Sequence, residues 1–284
     1  MRPDLLQAEL GPGARGYFTT RGARGGRPPG GTDSIGDPYA GFNLAAHVGD
    51  RPEAVQANRR ALEEGLGLAA PGSAAPGAIA WMNQVHSALV ARAQLGQAPT
   101  ADALILDTRN QCGPHGRGTS ARAVGVLVAD CVPLLLATSQ GTLVAAVHAG
   151  RRGMLDGVVT AAVAALVAAG ADPSDLWAAT GPSICGNCYE VSEDMAQQAA
   201  AVEPACRATS RWGTPAIDVA AGVHAQLERA GVGHMHPGHW CTAEDERFFS
   251  YRRQGATGRI AGVAIAGRTA GGQAGASSVT RRGQ

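Results

Sequence analysis

The stretch that most constrains the fold runs from residue 123 to residue 153 and reads AVGVLVADCVPLLLATSQGTLVAAVHAGRRG. Two short apolar runs in it, residues 123–128 and 132–137, predict buried β-strands. Only the tripeptide Ala-Asp-Cys separates these runs, so Asp130 and Cys131 lie at the break between the two strands. The sequence therefore places a carboxylate and a thiol at the ends of buried strands.

A third apolar run, residues 143–147, leads directly into His148. Glycines then turn the chain into residues 154–169, whose apolar period predicts a helix. His148, Arg151 and Arg152 therefore lie at a strand-to-helix junction. Unpaired N–H groups and the positive end of the helix dipole make such a junction suitable for binding an anion.

Composition limits the kinds of molecule that the protein is expected to bind. The net charge is +1 and aromatic residues make up 4% of the chain, whereas a nucleic-acid groove needs a basic stripe with stacking rings. All 24 basic residues are arginine, which excludes Schiff-base, P-loop and other lysine-dependent chemistry. We therefore expect a small-molecule ligand and no nucleic-acid partner.

The terminal segments and the cysteines indicate the cellular compartment of the protein. We find no N-terminal segment with the pattern of a secretory signal and no uninterrupted apolar run near ~18 residues. We therefore expect a cytoplasmic protein without a membrane partner, whose six cysteines are free thiols or metal ligands. Residues 1–16 and 267–284 are expected to be flexible termini.

Arg59 lies on a predicted helix. The residues after Asp50 predict a helix with Pro52 in its first turn and an end at Gly65 or Gly67. Arg59 falls in the middle of the apolar stripe of this helix. An unpaired charge on a buried face costs about 3–5 kcal/mol, so Arg59 is either an anion ligand or a structural arginine paired with a carboxylate.

Residues 79–90 are expected to form one strand, with His86 on one of its faces. If His86 meets Cys131 and His148 in the fold, the three side chains form a His₂Cys donor set. Zinc held by three protein ligands keeps a fourth position for water or substrate. Two other uses remain open: a trigonal copper site, and a metal-free pair with Cys131 as nucleophile and His148 as base.

Two other groups of candidate ligands are weaker. Cys185 and Cys188 have the spacing of a metal or redox pair, but Cys206 and Cys241 do not supply a second pair at matching spacing. We therefore expect ordinary thiols there. The histidines of residues 234–239 have a spacing that suits copper, and an exposed Pro-Gly loop explains them equally well.

Several short motifs occur in the order typical of one family. They are Phe18-Thr-Thr-Arg21, Asn43-Leu, Gly49-Asp50, Asn58-Arg59, Asn83-Gln-Val-His86, Val128-Ala-Asp-Cys131-Val-Pro, Ala146-Val-His148-Ala-Gly, Gly181-Pro, Tyr189-Glu-Val191, Cys241-Thr, Phe248-Phe-Ser-Tyr-Arg-Arg253 and Thr257-Gly-Arg259. From about residue 17 to residue 266 the chain resembles the laccase-domain family. That family was formerly labelled multicopper polyphenol oxidases and is now understood as purine nucleoside phosphorylases.

The resemblance implies an α+β fold in which a central sandwich of two mixed β-sheets is flanked by helices, in a single domain of residues 17–266. It also implies that His86, Cys131 and His148 bind zinc, with copper as the alternative metal, and that they carry the active site. The implied partners are purine nucleosides and inorganic phosphate, and we expect a monomer or a homodimer.

The resemblance also implies further roles. Arg59 would help to hold phosphate or substrate, and Asn43 and Arg152, the latter at the helix start, are further candidates for this binding. Asp130 is our candidate for the acid that moves protons in deamination. A turn carboxylate that caps backbone amides explains Asp130 equally well.

The implied reactions are phosphorolysis of adenosine, inosine and methylthioadenosine to free base and ribose 1-phosphate, and deamination of adenosine. Two departures from the family pattern bear on substrate preference, namely Arg151 where tryptophan is common and Ser87 where glycine is usual. The alternative function is a copper-dependent, laccase-like polyphenol oxidase. A third is a binding protein or a modifier that uses the Cys131 thiol.

Overall fold

The computed structural model describes residues 2–24, 37–72, 77–109 and 121–267. The strands of this part are β1 (Arg2–Ala8), β2 (Arg15–Arg24), β3 (Ile79–Ala80), β4 (Val90–Arg92), β5 (Ala103–Asp107), β6 (Ala123–Val128), β7 (Val132–Thr138), β8 (Leu143–Ala149), β9 (Leu176–Thr180), β10 (Arg207–Thr209), β11 (Pro215–Ile217), β12 (His234–His236) and β13 (Ile260–Ile265). The α-helices are α1 (Pro52–Gly65), α2 (Arg151–Leu155), α3 (Val158–Ala168), α4 (Glu193–Val202), α5 (Val219–Arg229) and α6 (Tyr251–Gln254).

Two large sheets form the centre of the fold. The five-stranded sheet has the order β1-β2-β13-β6-β3, and the six-stranded sheet has the order β12-β9-β7-β8-β5-β4. Both are mixed, because β3 pairs with β6 in parallel, as do β12 with β9 and β4 with β5, while the other pairs are antiparallel. Strands β10 and β11 form a separate hairpin-like pair.

Alternation along β7 organises the packing of the layers. Leu135 belongs to the apolar core between the two sheets, and Leu134 belongs to the core between the six-stranded sheet and helices α3 and α5. On the opposite side, Leu62 of α1 packs on the outer face of the five-stranded sheet together with Leu127. The predicted α+β sandwich of two mixed sheets flanked by helices is therefore confirmed.

The expectation of a flexible N-terminus is wrong for residues 2–8. These residues form β1, which pairs antiparallel with β2 from Arg2 opposite Arg24 to Ala8 opposite Gly16. Pairing across the chain supplies the hydrogen bonds that a local pattern does not reveal. Of the other predicted tail, residues 268–284 lie outside the described part of the chain.

Two predicted elements are broken in the structure. Residues 79–90 contain only β3 and the first residue of β4, and the segment between them turns at His86. The predicted helix over residues 154–169 is instead α2, which begins at Arg151, followed by α3, because Gly157 adopts a positive φ of 90°. In the part of the chain that the structure describes, no helix has both the length and the apolar character needed to cross a membrane.

Candidate functional site

Antiparallel pairing of β7 with β8 places Cys131 and His148 at the same end of these two strands of the six-stranded sheet. Cys131 immediately precedes β7, and His148 lies on β8 opposite Pro133 of β7. Gly150, which follows β8, leaves room for the site, since a Cβ there would lie 2.8 Å from Cδ2 of His86 and 3.0 Å from Sγ of Cys131. A side chain at Gly150 would therefore displace the two residues beside it.

His86 reaches the same place from the turn between β3 and β4. Its φ is 60°, a left-handed conformation that is uncommon for a residue other than glycine. The buried carboxylate of Asp102 accepts the backbone N–H groups of His86 at 3.0 Å and Ser87 at 2.7 Å. It also accepts the Ser87 hydroxyl at 2.7 Å, so one carboxylate stabilises the whole turn.

The three predicted ligands converge. One donor atom from each of His86, Cys131 and His148 lies within 4.8 Å of the others. Sγ of Cys131 is 3.8 Å from Nε2 of His86. Nδ1 of His148 is 2.8 Å from Oδ1 of Asp102, which leaves Nε2 of His148 to face the thiol. Such a set of two imidazoles and one thiol suits zinc or copper.

Charge within the cluster is strongly coupled. Burial opposes ionisation of the Cys131 thiol, but the positive charge of His148 and hydrogen bonds from both imidazoles outweigh it and lower the pKa of Cys131 to about 6. Burial also disfavours the His148 imidazolium, but the Cys131 thiolate and the Asp102 carboxylate outweigh it and raise the pKa of His148 to about 9. The fold thus stabilises the thiolate, the form that binds a metal.

A cavity of about 560 Å³ opens beside the donor set. Its lining includes the three predicted ligands, the arginines Arg151, Arg252 and Arg259, and the ring-bearing residues His47, Tyr189 and Tyr251. A volume of this size holds a small organic molecule. Arginines and aromatic residues therefore line a cavity next to a group of candidate metal ligands.

Asp130 also lines the cavity. Its φ is 89°, and its carboxylate accepts the Thr242 hydroxyl and the backbone N–H of Arg252, both at 2.6 Å. Asp130 thus joins the β6–β7 turn to two segments of the C-terminal third of the chain. This geometry matches the interpretation of Asp130 as a turn carboxylate that binds backbone amides, and its role as an acid stays a prediction.

The other three predicted binding residues do not line the cavity in the structure. Arg59 donates from Nε to the Leu44 carbonyl at 2.8 Å and stacks on Trp81. A carbonyl and a ring thus hold Arg59 in place, the charge of Glu63 also acts on it, and its role as an anion ligand stays a prediction. Arg152 is mostly exposed and lies 3.5 Å from Asp156.

Asn43 is fully buried, and its link to the cavity is a hydrogen bond with the backbone of Arg259. Its side-chain amide donates to Asp50 at 2.8 Å, and its Oδ1 accepts the backbone N–H of Arg259 at 2.9 Å. Asn43 therefore positions a segment that carries one of the arginines of the cavity. The proposed contacts of Asn43, Arg59 and Arg152 with phosphate or substrate remain predictions.

Sequence reasoning missed Asp102, Arg252 and Arg259. Asp102 directly precedes β5, and a carboxylate beside a buried strand was the only local signal for it. Arg252 and Arg259 belong to motifs that support the family resemblance, but nothing in their spacing from Cys131 indicates that they line the same cavity. Only the pairing of β13 with β6 brings residue 260 opposite Val128.

The histidines of residues 234–239 do not form a donor group among the described residues. His234 and His236 stack on Trp177, with ring centroids 4.1 and 5.5 Å apart. His239 packs against Trp240 with the two rings tilted by 30° and their centroids 4.4 Å apart. The geometry therefore favours ordinary surface histidines over a copper site.

Comparison with known proteins agrees with this architecture. The family described as multi-copper polyphenol oxidoreductase laccase matches residues 29–266. A protein of Streptomyces coelicolor named purine nucleoside phosphorylase is 48% identical over 79% of this chain and 88% of its own length. A protein of the same name from Corynebacterium glutamicum is 41% identical over 80% of this chain and 87% of its own length.

Solved structures share the fold. A crystal structure of a Neisseria meningitidis protein superposes with a TM-score of 0.74 at 32% identity, covering 93% of this chain and 99% of that one. YlmD from Geobacillus stearothermophilus gives a TM-score of 0.73 at 27% identity, covering 90% and 93%. With the donor set, the two-sheet fold and the match to most of the sequence in agreement, the chain belongs to the multi-copper polyphenol oxidoreductase laccase family.

Proposed function

We propose that the protein is a zinc-dependent purine nucleoside phosphorylase that also deaminates adenosine. The observation that carries the proposal is the convergence of His86, Cys131 and His148 within 4.8 Å at the wall of a cavity of about 560 Å³. The name purine nucleoside phosphorylase, given to relatives that are 41% and 48% identical, supports the substrate class.

The donor set fits zinc. Two imidazoles and a thiol stabilised as thiolate are common zinc ligands, and a three-residue set is typical of a catalytic rather than a structural site. Asp102 binds Nδ1 of His148 at 2.8 Å, the carboxylate–histidine arrangement that orients metal-binding imidazoles. When bound, zinc supplies a Lewis acid with an open position and activates water at neutral pH.

The arginines of the cavity would bind inorganic phosphate. Arg151, Arg252 and Arg259 line one cavity, and guanidinium groups bind phosphate oxygens through strong charge-assisted hydrogen bonds. Arg259 is itself fixed, because its Nη1 donates to the carbonyls of Thr257 at 2.7 Å and Gly258 at 3.0 Å. We assign the phosphate to these three residues, which line the cavity, rather than to Arg59 and Arg152.

Aromatic rings in the same wall suit the purine. Tyr189 and Tyr251 both line the cavity, and the guanidinium of Arg252 lies 5.0 Å from the ring centre of Tyr189. A flat purine stacks favourably on such rings. A nucleoside bound in this way would present its ribose to the phosphate held by the arginines.

The phosphorolysis step follows from this placement. A phosphate oxygen forms a bond to the anomeric carbon while the bond from that carbon to the purine nitrogen breaks, and the departing base takes up a proton. Positive charge develops on the sugar in the transition state. The arginines hold the phosphate dianion next to that charge, and proximity lowers the barrier.

Deamination of adenosine would use the same pocket. Water attacks C6 of the adenine and the amino group leaves as ammonia, which requires a group that moves protons. Asp130 lies in the wall of the cavity, and we assign this role to it. Both oxygens of Asp130 already accept hydrogen bonds, one from the Thr242 hydroxyl and one from the backbone N–H of Arg252. We therefore expect Asp130 and the Thr242 hydroxyl to move the proton together.

The family description also favours a second candidate, a copper-dependent polyphenol oxidase. Such an enzyme needs several coppers. Among the described residues, the donor groups are the His₂Cys set and a group of three cysteines with one glutamate. A trigonal copper site of the first kind suits electron transfer, so this chemistry is the less supported of the two.

The test is incubation of zinc-loaded protein with adenosine, with and without inorganic phosphate. We expect adenine and ribose 1-phosphate only with phosphate, and inosine in both samples, measured by chromatography. Cys131→Ala is expected to lose at least about 100-fold in turnover without unfolding, because a metal ligand matters more than the outer groups that cost 10–100-fold.

The matched control is Cys206→Ala, which removes a buried thiol outside both donor groups. Full activity of Cys131→Ala would contradict the assignment of the site. Oxidation of a phenol by the copper-loaded protein, without any nucleoside turnover by the zinc-loaded one, would favour the oxidase instead.

A further inference from the structure

A second group of metal-binding side chains lies outside the cluster of His86, Cys131 and His148. One donor atom from each of Cys185, Cys188, Cys241 and Glu244 lies within 4.8 Å of the others. Cys241, which forms no second cysteine pair at matching spacing in the sequence, thus lies beside Cys185 and Cys188 in the fold. The second pair is Cys241-x-x-Glu244, which has the same spacing as the first but ends in a carboxylate.

The fold brings the two pairs together from positions 56 residues apart. Ser183 forms a parallel bridge with Cys241, so the loop after β9 lies along the segment that precedes α6. The backbone N–H of Cys185 then donates to Sγ of Cys241 at 3.4 Å. An N–H group directed at a sulfur stabilises negative charge there, as a thiolate ligand requires.

The donor types are those of a closed zinc site. Zinc in structural sites is held tetrahedrally by four protein ligands, most often cysteines. Cys188 and Cys241 are buried in a small apolar cluster with Ile184, whereas Glu244 is exposed at its edge. Three thiols and a carboxylate thus surround a place that is buried at Cys188 and Cys241 and exposed to solvent at Glu244.

Arg211 is a positively charged neighbour of this group of four side chains. Its guanidinium contacts both Sγ of Cys188 and Oε1 of Glu244. A divalent cation held by three thiolates and a carboxylate retains a net negative charge, and Arg211 would offset part of it as an outer partner. The side chain of Arg211 is 42% exposed, so it can shift outward without breaking a packed core.

We propose that Cys185, Cys188, Cys241 and Glu244 form a second, structural zinc site that joins the loop after β9 to the segment before α6. All four positions are protein ligands, so the site is structural rather than catalytic. It does not depend on the proposed enzymatic activity.

The site would stabilise the wall of the cavity. Ile184 and Tyr189, beside the first pair, line the cavity, and Thr242, beside Cys241, donates to Asp130. A metal that ties together segments distant in the chain removes much of the freedom of both. Binding there therefore holds in place residues that form the pocket beside His86, Cys131 and His148.

The experiment measures zinc per chain in the full-length protein after zinc loading and desalting. We expect about two equivalents, one for each donor group. Cys241→Ser is expected to lose about one equivalent, and Cys131→Ala about one from the other group. Cys206→Ala, which removes a buried thiol outside both groups, is the matched control and should lose none. Equal zinc content in Cys241→Ser and the unmodified protein would overturn the proposal.

A cobalt spectrum provides a second measurement that does not require Cys241→Ser to fold. Co²⁺ bound to thiolates absorbs strongly in the near ultraviolet, and in Cys131→Ala only the second group can supply thiolates at a metal-binding cluster of the described chain. We expect the absorption to persist in Cys131→Ala, and to need more cobalt when the exposed Glu244 is also changed to Gln. Absence of the absorption from Cys131→Ala would refute the second site.

Discussion

One carboxylate, Asp102, acts on two of the three residues that we assign to the active site. Its oxygens accept the backbone N–H of His86 at 3.0 Å and lie 2.8 Å from Nδ1 of His148. Burial opposes the ionised form of Asp102, but hydrogen bonds from His148 and Ser87 outweigh it and hold the pKa of Asp102 well below its usual range. We therefore assign Asp102 as a positioning residue, which contacts the candidate ligands His86 and His148.

Asp102→Asn is expected to weaken zinc binding or turnover about 10–100-fold, the usual effect of losing an outer partner of a metal ligand. The amide retains the shape of the carboxylate but cannot accept from every group that surrounds it. Zinc affinity by competition with a chelator is the measurement. Asp107→Asn, at the other end of β5 and paired with Arg109, is the control, and equal zinc affinity in both variants would argue against this role.

A second carboxylate, that of Glu203, predicts how the stability of the protein depends on pH. Glu203 is buried and forms an ion pair with Arg229, which links the end of α4 to the end of α5. Burial opposes its ionisation, but the hydrogen bonds from Arg229 and the backbone N–H of Ala205, together with the charge of Arg229, outweigh it, so the pKa of Glu203 is lowered. A lowered pKa means that the stabilisation is present above about pH 4.3, the value for an unfolded chain, and disappears as the pH falls through the folded value.

Glu203→Gln is expected to lower the free energy of unfolding by about 1.5–3 kcal/mol near neutral pH, the range for a hydrogen bond to a charged group. The difference from the unmodified protein should shrink as the pH falls below about 4. Urea unfolding across this pH range measures it. Glu228→Gln, an exposed change on α5, is the control, and a constant difference at every pH would contradict the assignment.

Strand β1 is an element that the local sequence does not predict, although it has a clear role in the sheet. It forms the edge of the five-stranded sheet by pairing with β2. Its neighbouring leucines contribute to different layers, since Leu5 packs on the core under α1 and Leu6 packs on the core between the sheets. The strand also contacts α1, where Pro3 lies close to Gly65.

Deletion of residues 1–8 is therefore expected to destabilise the protein. The deletion removes two partly buried leucines, whose lost packing costs about 2–3 kcal/mol, and each kcal/mol lowers Tm by about 2–4 °C in a domain of this size. Differential scanning calorimetry measures the shift. Deletion of residues 268–284, which the sequence predicts to be flexible, is the control; an unchanged Tm after the N-terminal deletion would mean that β1 adds no stability.

The described part of the chain forms four layers, in which the two large sheets lie between helices. The apolar core between the sheets contains side chains from β2, β6, β7 and β8, among them Phe18, Val126, Leu135 and Ala146. Val128 belongs both to this core and to the lining of the cavity, so the packed sheets adjoin the candidate site. A rigid sandwich holds ligands from different strands at a constant separation.

Leu135→Ala tests the importance of this inter-sheet core. Leu135 is fully buried, and removing such a leucine usually costs about 2–5 kcal/mol, depending on how far the cavity collapses. The free energy of urea unfolding is the measurement. Leu89→Ala, at a position that is 55% exposed, is the control and should change little. Equal values for the two variants would contradict the proposed sandwich packing.

The strands nearest the site follow from local pattern. The apolar runs predicted at residues 123–128, 132–137 and 143–147 correspond closely to β6, β7 and β8. Their ends therefore place Asp130, Cys131 and His148 at strand boundaries, because a buried strand stops where polar residues begin. A long apolar run needs no distant partner to be recognised.

Tertiary structure alone decides the rest. His86 lies 45 residues from Cys131, in a turn that Asp102 stabilises from another segment, where the local pattern predicts a regular strand. Cys241 joins Cys185 only because Ser183 pairs beside it, and β1 is ordered only because β2 satisfies its backbone. In each case the stabilising partner is distant in sequence, and a residue's own neighbours carry no information about hydrogen bonds and ligands supplied from elsewhere in the fold.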